Sequence, residues 1–446
     1  MMNFENARGI LENEAKALGL EEYEIYFTES QGVSTETLKD EISSFSCGRS
    51  AGINFRCVVD GHIGSAATEL LEETELRSLV SRARANASVI ENNDIAVIFG
   101  GSEKYADAPA VSGEIPSAAD IKTLAMDIQG RTYAQSELIT DGTQSGVVAD
   151  VSKYELANSK GLRLSNTVSL RLSYVQAVIN KDGDAQDAFD FALGFDNTEA
   201  LSEKAVSDAI SKLGAAGVES GKYDVIIDGS QMRALLSTFS SVFSGKNALL
   251  GLSLLSGKKG EKIASECVTV VDDPLGERNP ARTHFDGEGV ATYTKNVIEN
   301  GVLKTLLYDI ATAHKAGEET TGNGLRGSFA SQVHIAPFCF YVKEGSFTDE
   351  ELMARMGDGL YVTELKGLHA GANAVTGDFS IESAGYLVKD GRIAGAVKGF
   401  TIAGNFFELL KSISDVSSNV KFGMPSGFTT YGAPNVLVSQ MSVAGK

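Results

Sequence analysis

Tryptophan is absent from this sequence of 446 residues, and proline and cysteine are scarce, with seven and four residues. The four cysteines are far apart and form no CxxC pair, which excludes a disulfide framework and predicts reduced thiols. No apolar run approaches the roughly 18 residues of a membrane-spanning helix. The N-terminal residues form an acidic amphipathic pattern rather than a signal peptide. We therefore expect a cytoplasmic protein that does not cross a membrane.

Positive charge is also in short supply. Lysine and arginine total 39 against 59 aspartates and glutamates, a formal net charge of −20. Nucleic acids and anionic membranes both attract cationic surfaces, so this balance argues against direct binding to either. The length predicts about two or three domains, each large enough to bury a core without metal or disulfide support.

Glycine, by contrast, is abundant at 47 residues, and many glycines fall at turns between apolar or β-branched segments. The pattern predicts an α+β fold with two small N-terminal α+β modules and a large, mainly antiparallel C-terminal β domain. The predicted boundaries are 1–115, 116–221 and 222–446. Within the two modules we expect helices and strands in these places: helices 4–18, 69–86, 118–134 and 201–215, a hairpin turning at Asp60-Gly61, and strands 22–30, 145–157 and 167–180.

The C-terminal domain carries the densest turn signals. Two long hairpins are predicted at Asn300-Gly301 and Asp390-Gly391, because Asn-Gly and Asp-Gly favour tight hairpin turns. Helices are predicted over 232–243 and 400–414, and strands over 224–228, 264–274 and 433–445.

One motif has the spacing of a dinucleotide fingerprint, G-x-G-x-x-G at 322–327. Such a fingerprint needs a preceding strand and a following helix, whereas here a helical pattern precedes it and a strand pattern follows. The motif is therefore interpreted as a glycine-rich turn from which Asn323 and Arg326 project towards solvent or a cleft.

Metal-binding and nucleophilic patterns are weak. No two of the five histidines are three to five residues apart, which excludes an HExxH helix. His369, in a glycine-rich loop, is the histidine that best fits a cleft. The acidic pairs Asp272-Asp273 and Asp286/Glu288 fit turns better than a hard-cation site, which stays an alternative. A cysteine–histidine nucleophile also stays open, although Cys267 and Cys339 fall in apolar strand patterns typical of buried thiols.

An ordered set of segments nevertheless resembles the TldD/PmbA family, specifically its PmbA (TldE) branch, once described as modulators of DNA gyrase. The resemblance covers essentially all of 222–446 and is looser before it. The segments are SLLSGKKGEKIASECVTVVDDP (253–274), HFDGEGVATYTKNVIENGVLKTLLYDIATAHKAG (284–317), TTGNGLRG (320–327), ELKGLHAGANAVTGDFS (364–380), AGYLVKDGRIAGAVKGFTIAGNFFELLKSI (384–413) and APNVLVSQMSVAG (433–445).

The resemblance implies a subunit of a two-component zinc protease that acts on unfolded peptides. In that family the TldD-type subunit supplies His-Glu-x-x-x-His on a helix and a later cysteine. The corresponding helix here, 232–245, has no histidine and no glutamate, and KFGMPSG (421–427) has no cysteine. The resemblance therefore implies no catalytic residue and no metal ligand in this chain, and a zinc ion held by a TldD-type partner.

Glycine-rich loops are expected to line a substrate or partner surface, since glycine lets a peptide backbone approach closely. The residues singled out are Asn323, Arg326, His369, Asn373 and Asp378. Two alternatives stay open: an independent peptide-binding or regulatory homodimer without protease activity, and an enzyme whose chemistry has moved to His369 with Asp378.

The helix that replaces the zinc helix carries its own prediction. Its apolar residues recur at the spacing of one helix face, so this face should pack into the core. They are Leu235, Leu236, Phe239, Val242 and Phe243. The serines between them, Ser237, Ser240 and Ser241, are predicted to border a cavity.

Overall fold

The N-terminal half of the chain forms one six-stranded antiparallel sheet in a computed structural model that describes residues 2–91, 94–111 and 113–446. Its strands are β1 (Tyr23–Leu38), β2 (Glu41–Val59), β3 (His62–Thr68), β4 (Gln144–Asn158), β5 (Arg163–Lys181) and β6 (Asp184–Leu193). Their order across the sheet is β3-β2-β1-β4-β5-β6.

Helices cover one face of this sheet. They are α1 (Phe4–Ala17), α2 (Glu73–Ala87), α3 (Ala118–Ala134) and α4 (Thr198–Ser211). Alternate residues of a strand face the same side. On β1, Ile25 and Phe27 pack into the core beneath α1 and α2, and Val33 packs into the core beneath α3 and α4. All four helices therefore lie on the same side, and the even-numbered residues of β1 face the other side.

The two N-terminal modules share this sheet. Strand β1 of the first pairs with β4 of the second in continuous register from Glu24–Asn158 to Leu38–Gln144. The predicted helices and the Asp60-Gly61 hairpin are confirmed, whereas β6 was not predicted. The predicted α+β class is confirmed, and the module boundaries stay predictions.

The C-terminal domain contains two further six-stranded sheets. One has the order β10-β9-β8-β13-β19-β18, and the other has the order β16-β15-β14-β7-β20-β17. The first is built from β8 (Val270–Asp272), β9 (Lys295–Glu299), β10 (Val302–Leu303), β13 (Cys339–Val342), β18 (Lys421–Phe422) and β19 (Thr430–Ala433). The second is built from β7 (Gly221–Ile227), β14 (Gly359–Lys366), β15 (Asp378–Lys389), β16 (Arg392–Asn405), β17 (Ile413–Val416) and β20 (Val436–Ala444).

The second of these sheets closes on itself, because β16 pairs with β20 as well as with β15. A short ribbon joins β11 (Gly324–Leu325) to β12 (His334–Ile335). Pairing is mainly antiparallel, as predicted, with parallel exceptions at β7–β14 and β13–β19. The helices are α5 (Gly229–Phe239), α6 (Gly245–Leu249), α7 (Ile310–Ala316), α8 (Asp349–Met356), α9 (Leu368–Gly371) and α10 (Phe406–Ser412), with a 3-10 turn at Ser240–Phe243.

One of the two predicted hairpins is long and the other is not. Both turn dipeptides have positive φ at both residues, as a tight hairpin turn requires. Asp390-Gly391 joins the long strands β15 and β16, but Asn300-Gly301 joins strands of only five and two residues. The Lys304 N–H still bonds to the Val297 carbonyl, but beyond it the chain leaves the hairpin and the backbone of Leu307 bonds to Phe243 and Gly245 instead. The prediction of a long hairpin at Asn300-Gly301 was wrong.

Two element predictions need correction. The helix predicted over 400–414 begins only at Phe406, since residues 400–405 continue β16 and alternate between buried and accessible positions like a strand. The strand predicted over 264–274 is reduced to β8. Its first part instead wraps the Asn300-Gly301 turn through hydrogen bonds between Gly301 and the backbone of Ile263, Ala264 and Val268.

Within the described ranges, no helix is both long enough and apolar enough to cross a bilayer.

Candidate functional site around helix α5

Helix α5 follows directly from the buried strand β7 and lies between the two sheets of the C-terminal domain. Asp228 caps it, and its Oδ1 accepts a hydrogen bond of 2.8 Å from the Ser230 backbone N–H. Its apolar residues are buried, as predicted, and they continue into the 3-10 turn: Leu235, Leu236, Phe239, Val242 and Phe243. Phe239 stacks on Phe406 with ring centroids 4.5 Å apart. The prediction that this face packs into the core is confirmed.

The serines of the same segment lie on its other side. Ser237 and Ser241 are exposed, and the Ser240 hydroxyl is 2.9 Å from the Tyr431 hydroxyl on β19. Whether these serines border a cavity stays a prediction. The serine hydroxyls on this side of the helix are poor zinc ligands compared with imidazole, thiolate and carboxylate groups.

The segment 421–427 does lie beside α5, where the resemblance implies the third zinc ligand of a catalytic subunit. It presents no ligand there; instead the guanidinium of Arg233 lies against Gly423. Across residues 2–91, 94–111 and 113–446, no three His, Cys, Asp or Glu side chains are grouped so that they could hold a metal ion. The side chains around α5 do not fit a zinc site.

A polar cluster surrounds the start of α5. The carboxylate of Asp228 accepts hydrogen bonds of 2.5 Å from Lys421 Nζ and 2.5 Å from the Tyr361 hydroxyl. Asn435 Oδ1 accepts the Gly229 backbone N–H at 2.7 Å. Burial alone would raise the pKa of Asp228, but the Lys421 charge and the bonds from Lys421 and Tyr361 outweigh it and lower that pKa. Burial and the Asp228 charge together raise the pKa of Tyr361.

Arg233 differs from its neighbours in this cluster. Within the described part of the chain it makes no hydrogen bond and no ion pair, and its Nε atom is buried. Burial lowers its pKa, and the charge of Asp228 partly offsets that effect. Nothing in the sequence pattern separates this arginine from a solvated one, so sequence reasoning did not identify it.

A second polar network lies where the uncovered face of the N-terminal sheet meets the C-terminal domain. Glu24 on β1 is fully buried and accepts hydrogen bonds from two guanidinium groups: Arg56 Nη2 at 2.9 Å and Arg326 Nη2 at 2.6 Å. Arg56 lies opposite Glu24 on β2, and Arg326 comes from the C-terminal domain. The network ties the two halves of the molecule together.

The acidic pair Asp286 and Glu288 belongs to this network. Asp286 accepts backbone N–H groups of Glu288, Val290 and Gly324 at 2.9, 3.0 and 2.9 Å, and Glu288 accepts the Ile310 N–H at 2.9 Å. Both carboxyl groups are thus held by backbone, which favours the structural interpretation over a cation site. Burial and the nearby Glu288 raise the pKa of Asp286 to about 8.

This shift predicts a pH dependence of stability. The folded state keeps a proton on Asp286 between about pH 4 and 8 while the unfolded state releases it, so stability should fall as pH rises through that window. In the Asp286→Asn variant, the slope of the unfolding free energy against pH should become shallower by up to about 1.4 kcal/mol per pH unit. Urea unfolding followed by circular dichroism at several pH values measures it. Asp182→Asn, in an exposed hairpin turn, should keep the wild-type slope, and an unchanged slope in Asp286→Asn would contradict the prediction.

The two glycine-rich loops occupy different places. Asn323 and Arg326 are buried, so the expectation that they project towards solvent or a cleft was wrong. Asn323 Nδ2 donates to Asp272 Oδ2 at 2.8 Å and to the Ala336 carbonyl at 3.0 Å, and Arg326 bonds to Glu24. The glycines are needed for packing inside the chain, because a Cβ at Gly324 would lie 2.7 Å from Glu288 Oε2.

His369, Asn373 and Asp378 are exposed, and α9, which carries His369, lies beside α5. Asn373 Oδ1 accepts the Val375 N–H at 3.0 Å, and Asp378 Oδ1 accepts the Asn405 side chain at 2.9 Å. No hydrogen bond joins His369 to Asp378 among the contacts of the described residues. Their role, and that of Asn323 and Arg326, at a substrate or partner surface stays a prediction.

The four cysteines are free thiols. Cys339 is buried, as predicted, and burial raises the pKa of its thiol. Cys267 is exposed rather than buried, because the residues before β8 form a loop instead of the predicted strand.

The chain is similar, part by part, to the three domains of one protein family. Residues 23–87 match the PmbA/TldA metallopeptidase domain 1, residues 112–213 the central domain and residues 220–445 the C-terminal domain. The last match alone covers half of the sequence. The chain belongs to the PmbA/TldD family.

Individual relatives agree with this assignment. The metalloprotease PmbA homologue of Haemophilus influenzae is 26% identical, over 95% of this chain and 92% of its own length. A Thermotoga maritima protein, described in its crystal structure as a candidate modulator of a DNA gyrase, is 30% identical with a TM-score of 0.89, over 99% of this chain and 100% of its own. TldE from Thermococcus kodakarensis has the same fold, with 24% identity and a TM-score of 0.87 over 98% and 99% of the two chains.

Proposed function

We propose that this chain is the non-catalytic, TldE-type subunit of a zinc metalloprotease complex that degrades or trims unfolded peptides. Its partner is a TldD-type chain, which supplies the zinc ion and the catalytic residues. One observation carries the proposal. Helix α5 and the segment 421–427 meet as the metal-binding elements of a catalytic subunit would, yet they offer an arginine, serines and a buried apolar face. This set can shape a peptide-binding surface but cannot activate a water molecule on zinc.

The experiment compares the purified chain, a TldD-type chain from the same genome and the two co-expressed. We expect no stoichiometric zinc and no peptidase activity from this chain alone. The two co-expressed chains should form a stable complex that cleaves unfolded peptides. Metal analysis, size-exclusion chromatography and cleavage of a fluorogenic unfolded peptide provide the readouts. A matched control replaces the glutamate of the partner's His-Glu-x-x-x-His motif by glutamine. This change should abolish cleavage while the two chains stay associated.

Two results would overturn the proposal. One is a zinc ion held stoichiometrically by this chain alone. The other is failure to associate with the TldD-type chain while forming homo-oligomers that bind peptides, which would establish the independent regulatory alternative.

A further inference from the structure

Arg233 is a half-buried cation that forms no ion pair with any residue that the structure describes. Its side chain is half-buried on α5, its Nε is shielded from solvent, and within the described residues it has neither a hydrogen-bond partner nor an ion pair. A guanidinium stays protonated throughout the physiological range, so it cannot escape burial by losing its charge. An N–H group that is shielded from solvent and has no partner is unfavourable, and such a group in a native protein calls for an explanation such as a ligand or ion.

The backbone is shaped to hold this guanidinium in place. A Cβ added to Gly423 would lie 2.4 Å from Arg233 Nη1 and 2.9 Å from Cζ, so only glycine lets the group lie flat against the 421–427 segment. Ser237, one helical turn further along α5, shares the helix face of Arg233 and is exposed. The exposed Met424 adds an apolar surface next to Gly423. The guanidinium thus lies against the backbone at Gly423, on the helix face that also carries Ser237.

Local charge favours an anion. The carboxylate whose charge acts on Arg233 is that of Asp228. Its oxygens are already occupied by Ser230, Tyr361 and Lys421, and Lys421 forms an ion pair with it. Asp228, Lys421 and Arg233 together therefore carry one excess positive charge.

We propose that Arg233 binds a carboxylate group of a bound peptide, either its C-terminal carboxylate or the side chain of an aspartate or glutamate. The fork of N–H donors matches the two oxygens of a carboxylate, and the pair would satisfy the otherwise unpartnered guanidinium. The identity of the carrier as a peptide rests on the proposed function. The carboxylate site itself does not, because it follows from the geometry of this chain alone.

The test uses the purified full chain without its partner. Nuclear magnetic resonance follows the Arg233 Nε–Hε signal, assigned by its absence from Arg233→Gln, during titrations at constant ionic strength. The probes are sodium acetate, an N-acetylated alanine pentapeptide with a free C-terminus, the same peptide amidated, and the amidated peptide with one glutamate. We expect saturable shifts with every carboxylate and binding about 10- to 100-fold weaker for the fully amidated peptide, as one charge-assisted hydrogen bond would give. The free-terminus and glutamate peptides show which source the site prefers.

Variants separate the site from general effects of charge. Gly423→Ala should displace the guanidinium while leaving the fold intact, because the atom that a Cβ meets is the end of a flexible side chain. In all variants the backbone amide signals of 421–427 report binding. Gly423→Ala should lose the preference for carboxylates, as should Arg233→Gln, while Arg233→Lys should retain a weaker preference because it keeps the charge and loses the fork. The exposed Arg131→Gln on α3 is the control and should bind like wild type.

Three outcomes would overturn the proposal: no saturable shift with acetate or free-terminus peptide, equal affinity for free and amidated peptides, or saturation by inorganic phosphate but not by acetate. None of them depends on zinc or on peptidase activity. Failure of this proposal is therefore distinguishable from failure of the proposed function.

Discussion

Replacing Glu24 by glutamine is expected to lower the free energy of unfolding by about 3–5 kcal/mol, the usual cost of removing one member of a buried ionic network. Glu24 is fully buried and is shared by Arg56 and Arg326. Glutamine keeps the shape but removes the charge, and its amide nitrogen must face one of the two guanidinium groups, donor against donor. Two desolvated cations would then lie side by side at the contact between the N-terminal sheet and the C-terminal domain.

Urea unfolding followed by circular dichroism measures this loss, since the chain has no tryptophan for fluorescence. Glu29→Gln on the same strand is the matched control. Glu29 pairs with Arg49, whose side chain is 54% exposed, and this exposed pair should contribute less than about 1 kcal/mol. Equal losses in the two variants would show that the buried network does not hold the two halves together.

The Phe239→Ala variant should also lose about 3–5 kcal/mol, because it leaves a cavity in the core between the two C-terminal sheets. Phe239 is fully buried, stacks on Phe406 and meets the ring of Phe379 edge-on. Its neighbours belong to α10 and β15, which are fixed by their own sheet, so the cavity has little freedom to collapse.

The same unfolding measurement tests this variant. Leu250→Ala, just after α6 and 62% exposed, is the control and should change stability by no more than about 0.5 kcal/mol. A small effect of Phe239→Ala would mean that α5 is not a core element and that its apolar face has another use.

Local patterns were sufficient to predict much of this fold. The apolar residues of 235–243 recur at helical spacing, and that spacing alone predicts the buried face of α5. The Asp390-Gly391 turn was likewise recognisable, because few residue pairs tolerate positive φ at two successive positions. These features depend on residues a few positions apart.

Features that depend on distant partners were not predictable in this way. Glu24 alternates with apolar residues along β1 as a solvent-facing glutamate would, and its burial follows from Arg326, some 300 positions away. The glycines around Asn323 indicated an open loop, whereas they allow close packing against Glu288. Residues 400–405 continue a strand because β15 and β20 flank them, which a helical pattern extending into α10 could not reveal.

The same holds at the candidate site. The absence of histidine and glutamate from 232–245 can be read directly from the sequence, because it depends on residue type alone. The sequence cannot show that Arg233 lacks a partner, because this depends on the position of Gly423 and on the ion pair between Lys421 and Asp228.

The pairing of β20 has a consequence for the order of events during synthesis. This strand lies between β7 and β17 and also pairs with β16, so β7 waits for a partner made more than 200 residues later. The N-terminal sheet has all its strands once residue 193 has emerged from the ribosome, and it can fold while translation continues. The C-terminal sheet that closes on itself through β16 and β20 cannot do so until residue 444 has been made. During that interval β7 and β16 each have a strand edge whose backbone N–H and C=O groups are unpaired. Chaperones would protect the nascent chain at these edges, and stalled translation would favour aggregation there.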